Sequence, residues 1–154
     1  MSAASLEAIS AARQLVARFN DAINRSDFAA YHDLWTPEGI LDLRGLPDIA
    51  GPIKGAQAIV NAIKPMRESW EFFFQMTGEV YVEQDGDIIV ARSPMWEFGR
   101  TAEGKGYSAH SINVDEITQT PEGWRLARRI WYGVLINNDN LPGTSIPLPT
   151  DLRS

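Results

Sequence analysis

The chain has 154 residues, of which 44% are hydrophobic and 22% are charged, and this is the size and composition of one globular domain. Its net charge is −6, from 20 acidic residues against 14 lysines and arginines, so we expect neither nucleic acid nor an anionic membrane surface as a partner. The absence of cysteine excludes disulfides and thiolate chemistry, and the wide sequence separation of the two histidines, His32 and His110, argues against a metal site.

A long amphipathic helix is predicted at the N-terminus. Apolar residues recur there at helical spacing, namely Leu6, Ile9, Val16, Phe19 and Ile23. The segment lacks a basic start followed by an apolar run, so we interpret it as a helix rather than as a signal peptide. The sequence has no stretch of about 18 apolar residues, so we expect no membrane span. A cytoplasmic location is the default expectation.

Shorter elements follow the first helix. Ser26 is the predicted N-cap of a second helix whose apolar side would extend to Trp35, and residues 36–39 are expected to form a turn. Residues 39–44 and 49–54 are predicted as two short strands. A third helix is expected to start at Gly55, and Pro65 is expected to end or kink it.

From Trp70 onward the apolar period changes to two, which predicts four long strands. Their expected ranges are residues 71–84, 88–99, 106–119 and 124–136. Asp85-Gly86 predicts a type I′ hairpin between the first two strands, since both central residues of that turn need positive φ. Residues 137–154 contain three prolines, so we expect an extended tail that is either an arm on a partner subunit or a loose terminus.

This order of elements predicts an α+β fold, in which a strongly curved antiparallel or mixed sheet wraps around the long N-terminal helix as a cone. We expect a single domain over residues 1–136, followed by the extended tail at residues 137–154. The wide mouth of such a cone is a natural site for a small hydrophobic molecule.

Four segments together resemble the nuclear transport factor 2-like superfamily, and in particular its SnoaL-like and scytalone dehydratase-like group. They are FNDAINRSDFAAYHDLWTPEG, GPIKGAQAIV, the DGD turn at residues 85–87, and EGWRLARRI. The resemblance implies a cone-shaped barrel and dimers that pack through the outer face of the sheet. It also implies cofactor-free chemistry, such as dehydration, cyclisation, double-bond isomerisation or retro-aldol cleavage.

A fifth segment, GKGYSAHSIN at residues 104–113, is similar to the strand of scytalone dehydratase-type enzymes that carries a pocket Ser and Asn. Those residues would be Ser111 and Asn113 here, and strand alternation places Tyr107 and Asp115 on the same face. A polar face inside a cone implies a hydrogen-bonding site, because unpaired buried polar groups cost about 1–3 kcal/mol each.

The positions that transfer protons in such enzymes hold other residues in this chain. Where the resemblance implies an acidic residue on the first helix and a histidine on the first long strand, the chain has Asn24 and Gln75. The position of the ketosteroid isomerase base falls on Leu43, next to Asp42. Amides cannot move protons as carboxylates and imidazoles do, so we expect Asn24, Gln75 and Leu43 to contact the substrate instead.

Four residues remain as candidates for the catalytic acid or base: His110, Tyr107, Asp115 and Asp42. His110 qualifies because the ordinary pKa of histidine is about 6.5, although strand alternation turns it away from Ser111 unless a bulge intervenes. Tyr107 could equally be a core residue with a satisfied hydroxyl group, and the two carboxylates could support turns or helix ends.

Aromatic and basic residues of the long strands complete the expected lining. Only one of Trp96 and Glu97 can face inward, and we assign the inward position to Trp96, as we do for Phe73 on the preceding strand. Arg129 lies two residues before Trp131 on the same strand, so the two side chains share a face and we expect Arg129 to point inward. There it would bind an anion, or form a cross-strand salt bridge with Asp115 or Glu116.

The sequence therefore predicts a cofactor-free lyase or isomerase that acts on a small hydrophobic substrate, aromatic or polycyclic, with hydroxyl or carbonyl groups. The alternative is a non-catalytic ligand-binding or assembly subunit of the same fold, which the amides at Asn24 and Gln75 favour. In both cases we expect a homodimer or a higher homo-oligomer formed through the outer sheet face.

Overall fold

The structure is a computed structural model, and it describes residues 2–46 and 48–152. The helices are α1 (Leu6–Arg25), α2 (Phe28–His32) and α3 (Ala56–Glu68). The strands are β1 (Ser2–Ala3), β2 (Trp35–Arg44), β3 (Ile53–Lys54), β4 (Trp70–Thr77), β5 (Tyr81–Asp85), β6 (Ile88–Thr101), β7 (Gly106–Thr120) and β8 (Gly123–Asn137). Within these described residues, no helix is both long and apolar enough to cross a membrane.

Helix α1 forms as its apolar spacing predicts, and capping groups define both of its ends. The Ser5 side chain accepts a hydrogen bond from the Ala8 N–H at 3.1 Å, which satisfies one of the free donors of the first turn. The helix ends at Ser26, whose left-handed backbone (φ 60°) places its N–H on the Ile23 carbonyl. Ser26 is therefore a C-cap, and the prediction that it caps the second helix is wrong: Asp27 does so, by accepting from the Ala30 N–H.

The structure also differs from three other local expectations, those for Trp35, for the turn at residues 36–39 and for the end of the third helix at Pro65. Trp35 begins strand β2 instead of ending a helix, and the expected turn at residues 36–39 is an irregular part of that strand, where its register against β8 shifts. Helix α3 continues to Glu68, so Pro65 does not end it, and the Pro65 carbonyl accepts from the N–H of the C-cap Ser69.

The sheet is strongly curved and mixed, as predicted. Its strand order is β1-β5-β6-β7-β8-β2-β3, and β4 pairs with the other half of β6. Neighbouring strands are antiparallel except for β2 and β8, which are parallel. The pairing between β7 and β8 shifts register at two places, and such bulges increase the bend and twist of a sheet.

The long strand predicted at residues 71–84 is divided into β4 and β5. Between them the Gly78 N–H donates to the Pro94 carbonyl at 2.9 Å. A Cβ atom at Gly78 would lie 2.9 Å from Pro94 Cγ, so the close approach of the two strands requires glycine here. The hairpin between β5 and β6 centres on Gly86 and Asp87, and it is Gly86 (φ 58°), not Asp85, that has positive φ.

The apolar core lies between the helices and the concave face of the sheet. One buried cluster joins α1 and α3 to the sheet and includes Phe19, Ile23 and Ile63, and a second contains Met95 and Trp131. A cavity is lined by members of both clusters, so the curvature of the sheet leaves a space beside α1.

Candidate active site

The cavity has a volume of about 290 Å³, and its wall is mainly apolar. The exposed residues Met66 and Asp48 belong to this wall, so the cavity opens between α3 and the loop after β2. The lining residues are Phe19, Ile23, Tyr31, Leu41, Leu43, Leu46, Asp48, Ile49, Ile63, Met66, Arg67, Trp70, Phe73, Gln75, Met95, Glu97, Tyr107, Asn113, Arg129 and Trp131.

Glu97 is the feature of this cavity that has the clearest chemical consequence. Its side chain is inward-facing, only 8% exposed, and its Oε1 accepts a hydrogen bond of 2.6 Å from the Tyr107 hydroxyl group. Burial raises the pKa of Glu97 from 4.5 to about 7, although the hydrogen bond from Tyr107 acts in the opposite direction. A carboxyl group with this pKa can accept or donate a proton near neutral pH.

Tyr107 holds Glu97 and is itself held by Trp70. Burial, and then the neighbouring Glu97 charge, raise the pKa of Tyr107 well above its ordinary value, so Tyr107 remains a hydrogen-bond donor. The Trp70 ring packs edge-on against the Tyr107 ring, with 5.3 Å between the centroids. The donor of the Glu97–Tyr107 pair is thus fixed by aromatic packing at the cavity wall.

Arg129 contributes a buried positive charge that is already compensated. Its Nε and Nη2 atoms donate to the two oxygens of Asp115, each at 2.6 Å, and both residues are almost fully buried. The Arg129 guanidinium lies 3.8 Å from the centroid of the Phe19 ring. Arg129 lines the cavity, whereas Asp115 does not. Arg129 therefore points inward as predicted, and its cross-strand salt bridge is with Asp115.

Asn113 and Gln75 are the amides in the cavity wall. The Asn113 Nδ2 atom lies 3.4 Å from Met95 Sδ, and Asn113 Oδ1 has no hydrogen-bond partner among the described residues. Gln75 is buried, and its Nε2 donates to Asn20 Oδ1 at 3.1 Å. The carboxamide oxygen of Asn113 is thus an unpaired hydrogen-bond acceptor buried in the cavity wall.

Two predicted contact residues lie outside the cavity. Asn24 forms a pair of hydrogen bonds with the backbone of Gln75, donating to its carbonyl at 2.9 Å and accepting from its N–H at 2.8 Å. This amide clamp ties the end of α1 to β4, so the expected substrate contact is replaced by a structural role. Ser111 faces the same side as Asn113 and is buried, but it does not line the cavity.

The structure reverses the predicted parity of β6. Trp96 is 41% exposed on the outer face, where its ring stacks with that of His110 at 6.2 Å and an interplanar angle of 13°. Neither residue lines the cavity, so the expectations that Trp96 contacts substrate and that His110 is the acid or base are corrected. Glu97, expected on the outside, takes the inward position because the Tyr107 hydroxyl group satisfies it there.

The remaining predicted carboxylate, Asp42, also lies away from the cavity. Its Oδ2 accepts from Arg44 Nε at 2.9 Å and lies 3.8 Å from Arg128 Nη2. Its neighbour Leu43 points the other way and lines the cavity, as Phe73 and Trp131 do. Over the described residues, no group of three or more His, Asp or Glu side chains is arranged to hold a metal ion.

Comparison with known sequences adds a family match. The family model described as a SnoaL-like domain matches residues 4–130. An uncharacterised protein of Mycobacterium tuberculosis is 26% identical over 126 residues, which covers 77% of this chain and 80% of that protein.

Similar architectures are found among solved structures. A protein from Novosphingobium aromaticivorans superposes with a TM-score of 0.81 at 19% identity, covering 88% of this chain and 96% of that one. An NTF2-like protein with a cystatin-like fold from the same species gives 0.69 at 27% identity, with coverages of 84% and 83%. The hexachlorocyclohexane dehydrochlorinase LinA-type3 of Novosphingobium barchaimii gives 0.74 at 15% identity, with coverages of 94% and 97%. These matches confirm the predicted superfamily and fold.

Proposed function

The chain belongs to the SnoaL-like domain family, and from this premise we propose that it is a lyase or isomerase that works without a cofactor. Its substrate is a small apolar molecule, aromatic or polycyclic, that carries a carbonyl group and, for a lyase, also a β-hydroxyl group. The observation that carries the proposal is Glu97, a buried carboxyl group in an apolar cavity with a pKa raised to about 7.

Glu97 is the acid–base residue in this proposal. Its carboxylate removes a proton from the carbon next to the substrate carbonyl, and the electron pair of the broken C–H bond forms the C=C bond of an enolate. In an isomerase the same proton returns to another carbon atom. In a lyase the enolate expels the β-hydroxyl group, which leaves as water after taking the proton from Glu97. Both reactions return Glu97 to the carboxylate form, so no further reactant is needed.

The other polar groups of the wall have supporting roles in the same reaction. Tyr107 donates to Glu97 Oε1 at 2.6 Å and so fixes the carboxyl group. Arg129 lines the cavity, and its two hydrogen bonds to Asp115 fix its guanidinium group in place. A guanidinium group fixed in this way stabilises the substrate carbonyl oxygen as it gains negative charge in the enolate. The free Asn113 Oδ1 accepts from the substrate hydroxyl group.

The comparisons support the fold on which this proposal rests. One neighbour, LinA-type3, is by name a dehydrochlorinase of hexachlorocyclohexane. At 15% identity this likeness concerns the fold alone. The reaction class proposed for this chain therefore depends on Glu97 and its surroundings.

A non-catalytic ligand-binding protein is the second candidate. It is favoured by the amide clamp, because Asn24 and the backbone of Gln75 hold each other where related enzymes are expected to have proton-transfer groups. In this case the cavity would bind an apolar molecule without changing it.

Deuterium exchange into 2-tetralone, a small aromatic ketone with acidic C–H groups, separates the two candidates. In D₂O the enzyme should exchange the α-protons, and Glu97→Gln should lower the rate by about 10²–10⁴-fold, the usual contribution of general acid–base catalysis. His110→Gln is the matched control, since His110 is exposed on the outer face.

Three outcomes of this assay are informative. Loss of exchange in Glu97→Gln but not in His110→Gln supports the enzyme. Equal exchange in wild type and Glu97→Gln rejects Glu97 as the base. If a panel of aromatic ketones and alcohols is never turned over, yet raises the melting temperature, the ligand-binding candidate is supported instead.

A further inference from the structure

Tyr31 is a buried polar residue of the cavity wall that the proposed reaction does not use. It lies on helix α2, is 1% exposed and lines the cavity. Its ring packs edge-on against the rings of Phe19 and Trp35, with centroid distances of 5.2 Å and 6.1 Å. These contacts come from α1 and β2 and give the phenol group a fixed position in the wall.

The hydroxyl group of Tyr31 has no hydrogen-bond partner in the part of the chain that the structure describes. Its backbone groups, in contrast, are paired: the N–H donates to the Asp27 carbonyl, and the carbonyl accepts from the Leu34 N–H. A buried hydroxyl group without a partner destabilises a fold, and phenylalanine would make the same ring contacts without this loss. The hydroxyl group of Tyr31 is therefore left for a molecule that binds in the cavity.

Arg129 lies near Tyr31 at the deep end of the cavity. Both side chains pack on Phe19, since the Arg129 guanidinium lies 3.8 Å from the centroid of the Phe19 ring. Burial raises the pKa of Tyr31 well above its ordinary value, whereas the charge of Arg129 acts in the opposite direction, as expected for a phenol close to a guanidinium group. Tyr31 consequently keeps its proton near neutral pH and can donate a hydrogen bond.

The deep end of the cavity thus offers donors to a ligand oxygen. A guanidinium group has donors only, and both oxygens of its partner Asp115 are occupied by Arg129. Tyr31 and Arg129 are 1% and 2% exposed, whereas Met66 at the mouth is 43% exposed. An oxygen that accepts hydrogen bonds is therefore favoured at the deep end, and the apolar frame that carries it is favoured towards the mouth.

From these contacts we propose that Tyr31 is a further catalytic residue, whose hydroxyl group donates to the substrate carbonyl oxygen beside Arg129. This inference rests on the proposed function and deepens it. As Glu97 removes the proton, the carbonyl oxygen gains negative charge, and the hydrogen bond from Tyr31 becomes stronger while its proton stays on Tyr31. The substrate class narrows to molecules whose carbonyl group lies at one end of the apolar frame, because the carbonyl has to enter the cavity first.

Deuterium exchange into 2-tetralone by Tyr31→Phe tests this role, since the variant keeps the ring contacts and loses only the hydroxyl group. Loss of one such donor should lower kcat by about 10²–10³-fold and should leave KM nearly unchanged, because the hydrogen bond gains strength mainly in the transition state. The pH midpoint of exchange should not move, since the donor to Glu97 is Tyr107.

Tyr81→Phe is the matched control, because it removes the same atom from a tyrosine outside the cavity. Tyr81 is 58% exposed, and its hydroxyl group donates to Glu83 at 3.3 Å. This variant should exchange deuterium at the wild-type rate. The melting temperature of Tyr31→Phe should equal or exceed that of wild type, because no hydrogen bond within the fold is lost.

Equilibrium dialysis with 2-naphthol and naphthalene gives a second readout, which does not depend on turnover. The oxygen of 2-naphthol has the position of the enol oxygen of 2-tetralone, and naphthalene lacks it. Wild type should bind 2-naphthol about tenfold more tightly than naphthalene, the effect of one net hydrogen bond. In Tyr31→Phe this preference should fall to about twofold or less.

The outcomes separate this inference from the proposed function. Wild-type exchange by Tyr31→Phe, together with loss of exchange in Glu97→Gln, rejects Tyr31 and leaves the proposed function standing. Absence of exchange in the wild-type protein rejects the proposed function, and the catalytic role of Tyr31 with it. A raised KM at unchanged kcat, a pH midpoint that moves as in Tyr107→Phe, or an unchanged preference for 2-naphthol contradicts a hydrogen bond from Tyr31 to the carbonyl oxygen.

Discussion

Replacing Glu97 by glutamine should change how the stability of the protein depends on pH. The carboxyl group has an ordinary pKa of 4.5 and a pKa of about 7 in the folded protein. Between these values the folded state holds a proton that the unfolded chain has released, so wild-type stability falls as the pH rises through this range. Glutamine resembles the protonated carboxyl group and can keep the hydrogen bond from Tyr107, so the variant lacks this loss.

The size of the effect follows from the two pKa values. A tenfold change in an acid dissociation constant corresponds to about 1.4 kcal/mol, so a rise in pKa from 4.5 to about 7 corresponds to about 3 kcal/mol. Glu97 is 8% exposed, so solvent screening does not reduce this figure substantially. The two proteins should be nearly equal in stability at pH 4.5, and Glu97→Gln should be more stable by about 3 kcal/mol at pH 8.

Urea unfolding, followed by tryptophan fluorescence at several pH values from 4.5 to 8.5, measures this difference directly. Taking the difference between the two proteins cancels the titrations of all groups that they share. At pH 8 the expected gain corresponds to a rise in melting temperature of about 6–12 °C for a chain of this length. Parallel stability curves over the whole range would show that the carboxyl group titrates normally, and would refute the description of Glu97 as a desolvated acid.

Three further predictions concern Tyr107, the buried ion pair of Arg129 and Asp115, and the outer face of the sheet. Tyr107→Phe removes the hydrogen bond that lowers the pKa of Glu97, so the pH midpoint of deuterium exchange should move upward, and an unchanged profile would contradict this role. Arg129→Met leaves the charge of Asp115 buried and unpaired, so urea unfolding should show a loss of about 3–5 kcal/mol, and adding Asp115→Leu should restore most of it. We also propose that the exposed apolar outer face pairs with a second copy, so light scattering should give a dimer for wild type and a monomer for Trp96→Glu; a wild-type monomer would reject this interface.

Local periodicity was sufficient to predict most of the architecture. Helix α1 and strands β6, β7 and β8 lie close to their expected ranges, since each is long enough for its apolar period to be recognised. The division between β4 and β5 was not predicted, because it results from the contact of Gly78 with Pro94 on another strand. Contacts between residues distant in sequence leave no periodic signal in either segment.

The orientation of β6 depends on how charged and aromatic residues are distributed over its two faces. The preference of aromatic side chains for burial predicts an inward Trp96, but Arg92 and Arg100 lie on the same face of the strand. The opposite set, from Ile89 to Gly99, carries one charged residue, Glu97. The two arginines therefore indicated that the Trp96 face is the outer one. The distribution of charge over the two faces therefore predicts the inward position of Glu97 better than the aromatic residues do.

The two buried carboxyl groups of the inner face differ in what they contribute to the fold. Asp115 receives two hydrogen bonds of 2.6 Å from Arg129, so its charge is compensated inside the protein. Glu97 has one neutral donor, Tyr107, and its raised pKa reflects a charge that burial disfavours. Glutamine would retain the hydrogen bond without that cost, so the fold gains nothing from a carboxyl group at this position. Uncompensated ionisable groups of this kind cluster at functional sites, and this asymmetry favours Glu97 over Asp115 as the residue that moves the proton.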